Sequence, residues 1–333
     1  MKETEGPLRE SLNAIAARSG SRPADKGIQV VSFKPYLEEN SVLRHLHDRL
    51  QAMPLLYVDG ANYIDNTDPK WEVYLALSFS PGQEEEKSSQ QQVCCCGFAT
   101  VYSFYAYPSR ERLRLSQILV FPPYRRRGAA SGILEKVYSD AVAKGALDLT
   151  VEDPSEEFQA LRENIDVRRL TKTKSQDAMS YYVGYVQDAL RKSKDMVANG
   201  MKPETLLLPS RAVYDKAERE LKIHRAQLRK VWEVVLLRQL RASEWSNAEE
   251  VVKKIVTQRL SSQVSERKLE EASKNKHVID RNEDNFIMTR VFTGRTTVPK
   301  RVEVTDEEKQ KSMEYDLQQI GNRMDTLQKL VLV

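Results

Sequence analysis

The chain has 333 residues, 40% hydrophobic and 30% charged, and its 52 basic against 48 acidic side chains leave a formal charge of +4. That length suits about two domains with a sizeable core and excludes disorder throughout. The near balance of charge makes polyanion binding a poor default, and no apolar run reaches the roughly 18 residues that span a bilayer, so neither direct DNA binding nor a membrane is expected.

Residues 1–34 are polar and punctuated by Gly20, Pro23 and Gly27, and read as a flexible arm or a trimmed amino-terminal domain. Residues 35–51 carry Leu37, Val42, Leu43, Leu46 and Leu50 on one side of an amphipathic helix. A short apolar strand is expected at 55–58, ending in Asp59-Gly60, and a second strand at 71–79. Residues 81–92 are a polar insert and read as a mobile surface loop. A long strand over 93–107, dense in aromatic and β-branched residues, turns at Pro108-Ser109 into a returning strand over 112–121. The end of that strand, Ile118-Leu119-Val120-Phe121, is apolar on both faces, as in a central strand covered on both sides.

After Pro122-Pro123-Tyr124 comes a helix from about 129 to 144, with Ala130, Ile133, Leu134, Val137, Tyr138 and Ala141 on its apolar face and Gly145 closing it. A strand over 146–152 follows, then Asp153-Pro154 and a helix capped by Ser155. These elements predict an α/β layer architecture over 35–174. Residues 175–333 read as a helical carboxyl-terminal domain, with helices over 217–240 and 246–269 and a last helix opened by the capping box Thr305/Glu308. Met313, Leu317, Ile320, Met324, Leu327 and Val331 form a heptad seam, which packs on its own domain or on a partner helix.

Several chemistries are missing. There is no GxxxxGK[ST], GxGxxG or GxSxG motif, and His45, His47, His224 and His277 do not stand in HExxH spacing. Cys94, Cys95 and Cys96 are adjacent, which suits neither a disulfide framework nor a CxxC zinc site; no metal is expected, and a reducing compartment is. A covalent acetyl-cysteine step needs a placed base, so the run is read as structure at a strand edge.

The turn Arg125-Arg126-Arg127-Gly128-Ala129-Ala130-Ser131 joins a buried strand to a helix start, where unpaired amides and the helix dipole favour a phosphate. Arg125-x-x-Gly128-x-Ala130 resembles the Q/R-x-x-G-x-G/A signature of the GNAT acetyltransferases. With it, in order, stand Ala61-Asn62-Tyr63-Ile64-Asp65, Trp71, the run Thr100 to Pro108, Ser116 to Val120 and Glu152-Asp153-Pro154-Ser155. This ordered set is similar to the type B histone acetyltransferase catalytic subunit. The resemblance implies a GNAT-type mixed sheet with flanking helices, followed by a helical carboxyl-terminal domain.

It also implies direct transfer of acetyl from acetyl-CoA, as cosubstrate, to lysine in the tail of newly made histone H-four. A WD40-propeller histone chaperone subunit is the implied partner, in nucleus and cytoplasm. A free lysine has a pKa near 10.4, so roughly one in a thousand is neutral at pH 7.4, and deprotonation costs about 4 kcal/mol. By resemblance Glu152 is the general base, with Asp153 and Asp59 as helpers. Ile118, Leu119 and Val120 hold the pantetheine arm through their main chain, residues 125–131 hold the pyrophosphate, and Tyr102, Ser103 and Phe104 contact the tail. Asp59, Asp65 and Asp68 add negative charge suited to a lysine-rich peptide. Two other readings stay open: a GNAT acting on another peptide or small amine, and a non-catalytic adaptor using the heptad seam.

Overall fold

The computed structural model describes residues 27–37, 42–58, 60–80, 92–172, 180–198, 207–245, 247–274 and 306–332. Five strands, β1 (Ile28–Phe33), β2 (Trp71–Ser80), β3 (Gln92–Ala106), β4 (Arg110–Val120) and β5 (Leu149–Val151), form one sheet in sequence order. The first four run antiparallel, and β5 lies parallel to β4. The parallel step requires a crossover, supplied by helix α3 below.

Strand β1 falls where an arm was expected. Gln29 to Phe33 pair with Leu77 to Val73, and Val31 and Phe33 enter the core. The expected strand at 55–58 is instead a single helical turn. After α1 (Val42–Leu50), α2 (Pro54–Tyr57) opens on Pro54, whose fixed φ and missing N–H suit the first helical position.

One face of the sheet packs Val31, Phe33, Val73, Leu75, Leu77, Phe98 and Leu119 against Leu43, Ile64 and the partly buried Leu46 and Leu50. The other face carries α3 (Ala129–Ala143), whose buried residues are Ala129, Ile133, Leu134, Val137, Tyr138 and Ala141. Ala129 takes the inward place expected of Ala130. Gly145, at φ 66, ends the helix: its N–H donates to Val142 O, and Ala146 N–H donates to Ala141 O. Helix α4 (Glu156–Thr171) is capped by Ser155, whose hydroxyl accepts from Phe158 N–H.

The region expected as one helix over 217–240 is two, α6 (Arg211–Leu221) and α7 (Arg225–Ala242), following α5 (Tyr181–Ala198). The break is Lys222, in the left-handed region at φ 59. Its carbonyl accepts from Leu149 N–H at 3.0 Å, and Ile223 forms a parallel bridge with Leu149. This segment therefore closes the far edge of β5.

The chain forms two compact units, residues 1–188 with 208–232, and residues 189–207 with 233–333. In the second unit, α8 (Ala248–Lys274) and α9 (Asp306–Leu332) accompany the later half of α7. Glu233 on α7 is buried and accepts from Arg259 on α8 at 2.5 and 3.3 Å and from Arg323 on α9 at 2.8 Å. The heptad seam is only partly inward: Ile320 and Leu327 are buried and Leu330 joins them, whereas Leu317 is 56% exposed. Met313 lies outside the residues whose side chains are described. These burials seat α9 on its own unit.

His47 on α1 is fully buried, edge-on to Phe33 and Phe98 at 6.4 and 5.8 Å, and neither ring nitrogen has a hydrogen-bond partner. Burial lowers its pKa from 6.5 to about 4; nearby Asp48 opposes the shift, and Arg44 adds to it. Above pH 6.5 the ring is neutral in folded and unfolded chain alike. Below 6.5 the unfolded chain takes up a proton that the folded chain refuses until about pH 4, so stability falls across that window. The expected loss is about 3 kcal/mol. Replacing His47 by Leu is expected to flatten the curve, read as urea midpoints at pH 7 and pH 5; an unchanged slope would show that His47 is not the sensor.

Candidate active site

The candidate site is built where β4 and β5 part. Along β4, Thr100 pairs with Gln117 and Val101 with Leu115, so Ser116 bulges out of the ladder. The pairing with β5 ends at Leu115 opposite Val151, and Glu152 N–H then donates to Leu115 O at 3.0 Å. Phe121 N–H donates to Cys96 O. Main-chain groups alternate along an antiparallel strand, so those of Leu119 face β3 and those of Ile118 and Val120 face away. Among the described residues no strand lies across from Ile118 and Val120, and β4 presents a free edge there.

Gly97 explains how β3 and β4 come so close at that edge. A Cβ at position 97 would stand 2.4 Å from Leu119 O and 2.9 Å from Val120 Cα. Gly97→Ala is expected to cost 1–3 kcal/mol, about the usual penalty of overpacking, and to displace the free edge. If the edge takes coenzyme A, as the sequence resemblance implies, weaker binding of it by calorimetry, beyond any loss of folded protein, checks this. A glycine inside a strand-forming run was the available sequence signal.

The edge leads through Pro122–Tyr124 into the basic turn. Arg126 has φ 58 and Gly128 φ 88, and Arg125, Arg126, Arg127 and Gly128 are exposed. The glycine answers to its φ, since a Cβ there would meet nothing within 4 Å. Helix α3 has no side-chain cap, and its first main-chain bond runs from Gly132 N–H to Gly128 O, which leaves the amides of Ala129, Ala130 and Ser131 for an external acceptor. This donor set, next to the exposed Arg125, Arg126 and Arg127 in the chain, fits a pyrophosphate. Arg125 Nε donates to Val120 O at 3.2 Å, and its guanidinium lies 5.9 Å from the centre of the Tyr57 ring.

Glu152 and Asp153 are both exposed, just past the end of β5. Simple alternation would point them to opposite faces, but Asp153 has φ 30, so the extended geometry stops between them. The strand that delivers them is held firmly. Asp148, fully buried, accepts from Arg112 Nε at 2.6 Å and from its terminal nitrogen at 3.0 Å, and Leu149 O accepts from buried Arg162 at 2.8 Å. Asp59 lies outside the described residues. On the other flank, Gln117 Nε2 donates to Asn62 O at 2.7 Å and ties the segment before β2 to the free edge. Sequence reasoning passed over this side chain, and nothing in its local pattern marked it.

The aromatic run of β3 divides between two faces. Tyr102 packs edge-on to Trp71 and Phe104, both at 4.7 Å, and its hydroxyl donates to Asp68 at 3.0 Å. Asp65 accepts from Thr67 N–H and hydroxyl, bonds that lower its pKa. These two acids thus shape the turn before β2 as well as adding charge. Ser103 faces the opposite side, where it lines a cavity of about 280 Å³ with Lys34, Lys70, Glu72, Glu111 and Lys144. It does not share a surface with Tyr102 and Phe104. The cysteine run lies inside β3, flanked by β2 and β4, and not at the sheet edge that was expected. Burial raises the Cys95 thiol to about 11 and pushes Cys96 up as well, which suits neither to nucleophilic attack. Among the described residues no group of three His, Cys, Asp or Glu side chains could hold a metal ion.

The mixed sheet, its bulged fourth strand, the uncapped helix after a basic turn and the helical region beyond form a GNAT-type architecture. Solved structures aligned to it include an aminoglycoside acetyltransferase from a soil metagenome, at TM-score 0.29 and 14% identity over 46% of this chain and 91% of that one. A ribosomal-protein-alanine N-acetyltransferase from Brucella melitensis aligns at TM-score 0.29 and 14% identity over 46% and 96%. No family model matches. The chain is similar to histone acetyltransferase type B catalytic subunits: 37% identical to that of Arabidopsis thaliana over 191 residues, covering 57% of this chain and 38% of the relative. The Zea mays subunit is 29% identical over 65% and 43%, and the Rattus norvegicus subunit 25% identical over 69% and 48%. The chain thus spans less than half the length of these relatives.

Proposed function

We propose that the chain is a histone lysine N-acetyltransferase, moving acetyl directly from acetyl-CoA to lysine in the amino tail of free histone H-four. The observation that carries this reading is the Glu152–Leu115 main-chain bond, which anchors an exposed carboxylate at the bulge where the free edge of β4 begins. The histone acetyltransferase type B catalytic subunits to which the chain is similar support a histone as the acceptor.

In this mechanism the amides of Ala129, Ala130 and Ser131, with Arg125, Arg126 and Arg127, hold the pyrophosphate. Ile118 and Val120 pair with the pantetheine arm, and the outward amide of Ile118 donates to the acetyl oxygen as negative charge gathers on it. Glu152 takes the proton of the lysine ammonium, directly or through water, with Asp153 and Asp59 assisting; this meets the cost of about 4 kcal/mol that a neutral amine requires at pH 7.4. The C–N bond forms, the C–S bond breaks, and the thiol leaves with the proton that the amine gives up. Tyr102 and Phe104 grip the apolar stems of the tail. A WD40-propeller histone chaperone subunit presents the histone, in cytoplasm and nucleus.

The test is acetyl transfer to free histones, nucleosomes and small amines, with product sites mapped. Transfer to the H-four tail in free histones is expected. Transfer confined to small amines would move the reading to another acceptor, and no transfer with no coenzyme A binding would remove it.

A further inference from the structure

The free edge of β4 is partly occupied by the protein itself. Val120 O, one of the outward main-chain acceptors, already receives Arg125 Nε at 3.2 Å. The guanidinium that makes this bond also lies over the Tyr57 ring, 5.9 Å from its centre. Tyr57 ends α2 and is 49% exposed, with no structural duty in the core. An amide that approaches Val120 O competes with Arg125, which already takes one of the carbonyl's two lone pairs and covers that side of it. A ligand bearing a pyrophosphate compensates for drawing Arg125 away, because two negative phosphates beside the basic turn give the guanidinium a stronger, charge-assisted partner than a neutral carbonyl. A thioester with the same arm and no phosphates offers no such exchange.

We propose, resting on the acetyltransferase reading above, that Arg125 steadied by Tyr57 is a selectivity latch: it covers the strand edge against phosphate-free thioesters and is drawn aside by the pyrophosphate of coenzyme A. Arg125 touches the cosubstrate in this scheme, and Tyr57 is a positioning residue that acts through it. The latch favours one donor class at the entrance of the crevice, before any acetyl group reaches Glu152.

The experiment compares acetyl-CoA with acetyl-pantetheine, which keeps the arm and lacks the phosphates, for the wild-type chain and for Arg125→Ala, Tyr57→Leu and Tyr57→Phe. Arg125→Ala is expected to lower kcat/KM for acetyl-CoA and to raise it for acetyl-pantetheine by about tenfold, the weight of a hydrogen bond to a charged group. Tyr57→Leu is expected to raise the acetyl-pantetheine value by about threefold, in line with an exposed cation–π contact, and Tyr57→Phe to restore wild-type behaviour because the ring remains. If Arg125→Ala lowers both values, or leaves acetyl-pantetheine unchanged, Arg125 is a phosphate ligand only and the latch is refuted. Calorimetric binding of coenzyme A and of pantetheine to the same four proteins separates the two levels. A wild-type chain that binds coenzyme A without turning over defeats the acetyltransferase reading alone, and the latch then stands or falls on whether Arg125→Ala tightens pantetheine.

Discussion

On the proposed acetyltransferase reading, Glu152→Gln is expected to lower kcat for histone acetylation by about 100- to 10,000-fold, the range that a positioned general base contributes. The substitution keeps size and shape at an exposed site past the end of β5, so the fold and the binding of coenzyme A are expected to persist. Raising the pH narrows the deficit: the neutral fraction of the acceptor lysine grows about tenfold per pH unit below its own pKa, and the variant then depends less on the missing carboxylate. Asp153→Asn is the comparison. Its backbone, at φ 30, tolerates Asn, and a helper's loss is expected to be the smaller of the two. Equal rates for Glu152→Gln and wild type, measured with saturating acetyl-CoA across pH 7 to 9.5, would remove Glu152 as the base.

Glu233→Ala is expected to destabilise the second unit by about 3–5 kcal/mol, the usual cost of removing one partner from a buried ion cluster. The carboxylate is 1% exposed and receives hydrogen bonds from both Arg259 and Arg323. Without it the guanidinium groups of Arg259 and Arg323 lose the buried carboxylate they share, and α7, α8 and α9 lose this common polar contact. Glu233→Gln keeps the packing and one acceptor oxygen but turns an NH2 donor toward a guanidinium group, so its loss, expected to be smaller than that of the Ala variant, reports the charge together with the bonds to the second oxygen. Denaturant midpoints of the three proteins decide the matter, and a change under about 1 kcal/mol for the Ala variant would show that the cluster holds nothing, since ion pairs at the surface commonly contribute that little.

The sheet was legible because its residues obey simple periods. The β-formers of 93–107, the apolar face of the helix after the basic turn and the Ser155 cap all follow local rules that tertiary packing left in place. Where packing intervened, sequence reasoning erred. Ile28 to Phe33 alternate weakly after a polar stretch, and only pairing with β2 makes them a strand. Pro54 turned an apolar run into a helical turn. The break at Lys222 has no glycine or proline to announce it: a lysine takes the left-handed place at the helix end, and the next residue, Ile223, bridges to Leu149. In the site, the order of motifs located Glu152, the β4 edge and the uncapped helix. The alternation of β3 implied that Ser103 would part from Tyr102 and Phe104, while the tie from Gln117 to Asn62 and the Arg125–Tyr57 contact depend on side chains far apart in sequence.

The bridge at Ile223 also bears on how this molecule can be divided. A fragment stopped anywhere before Lys222 would keep every strand and every proposed catalytic residue, yet it would strip the donor Leu149 N–H of its acceptor and lay bare the outer rim of β5. Exposed rims of that kind recruit other chains into intermolecular sheets. The helical stretch that looks like an appendix is thus the hem of the sheet, and an excised piece carrying the five strands is expected to clump unless it runs through Trp232.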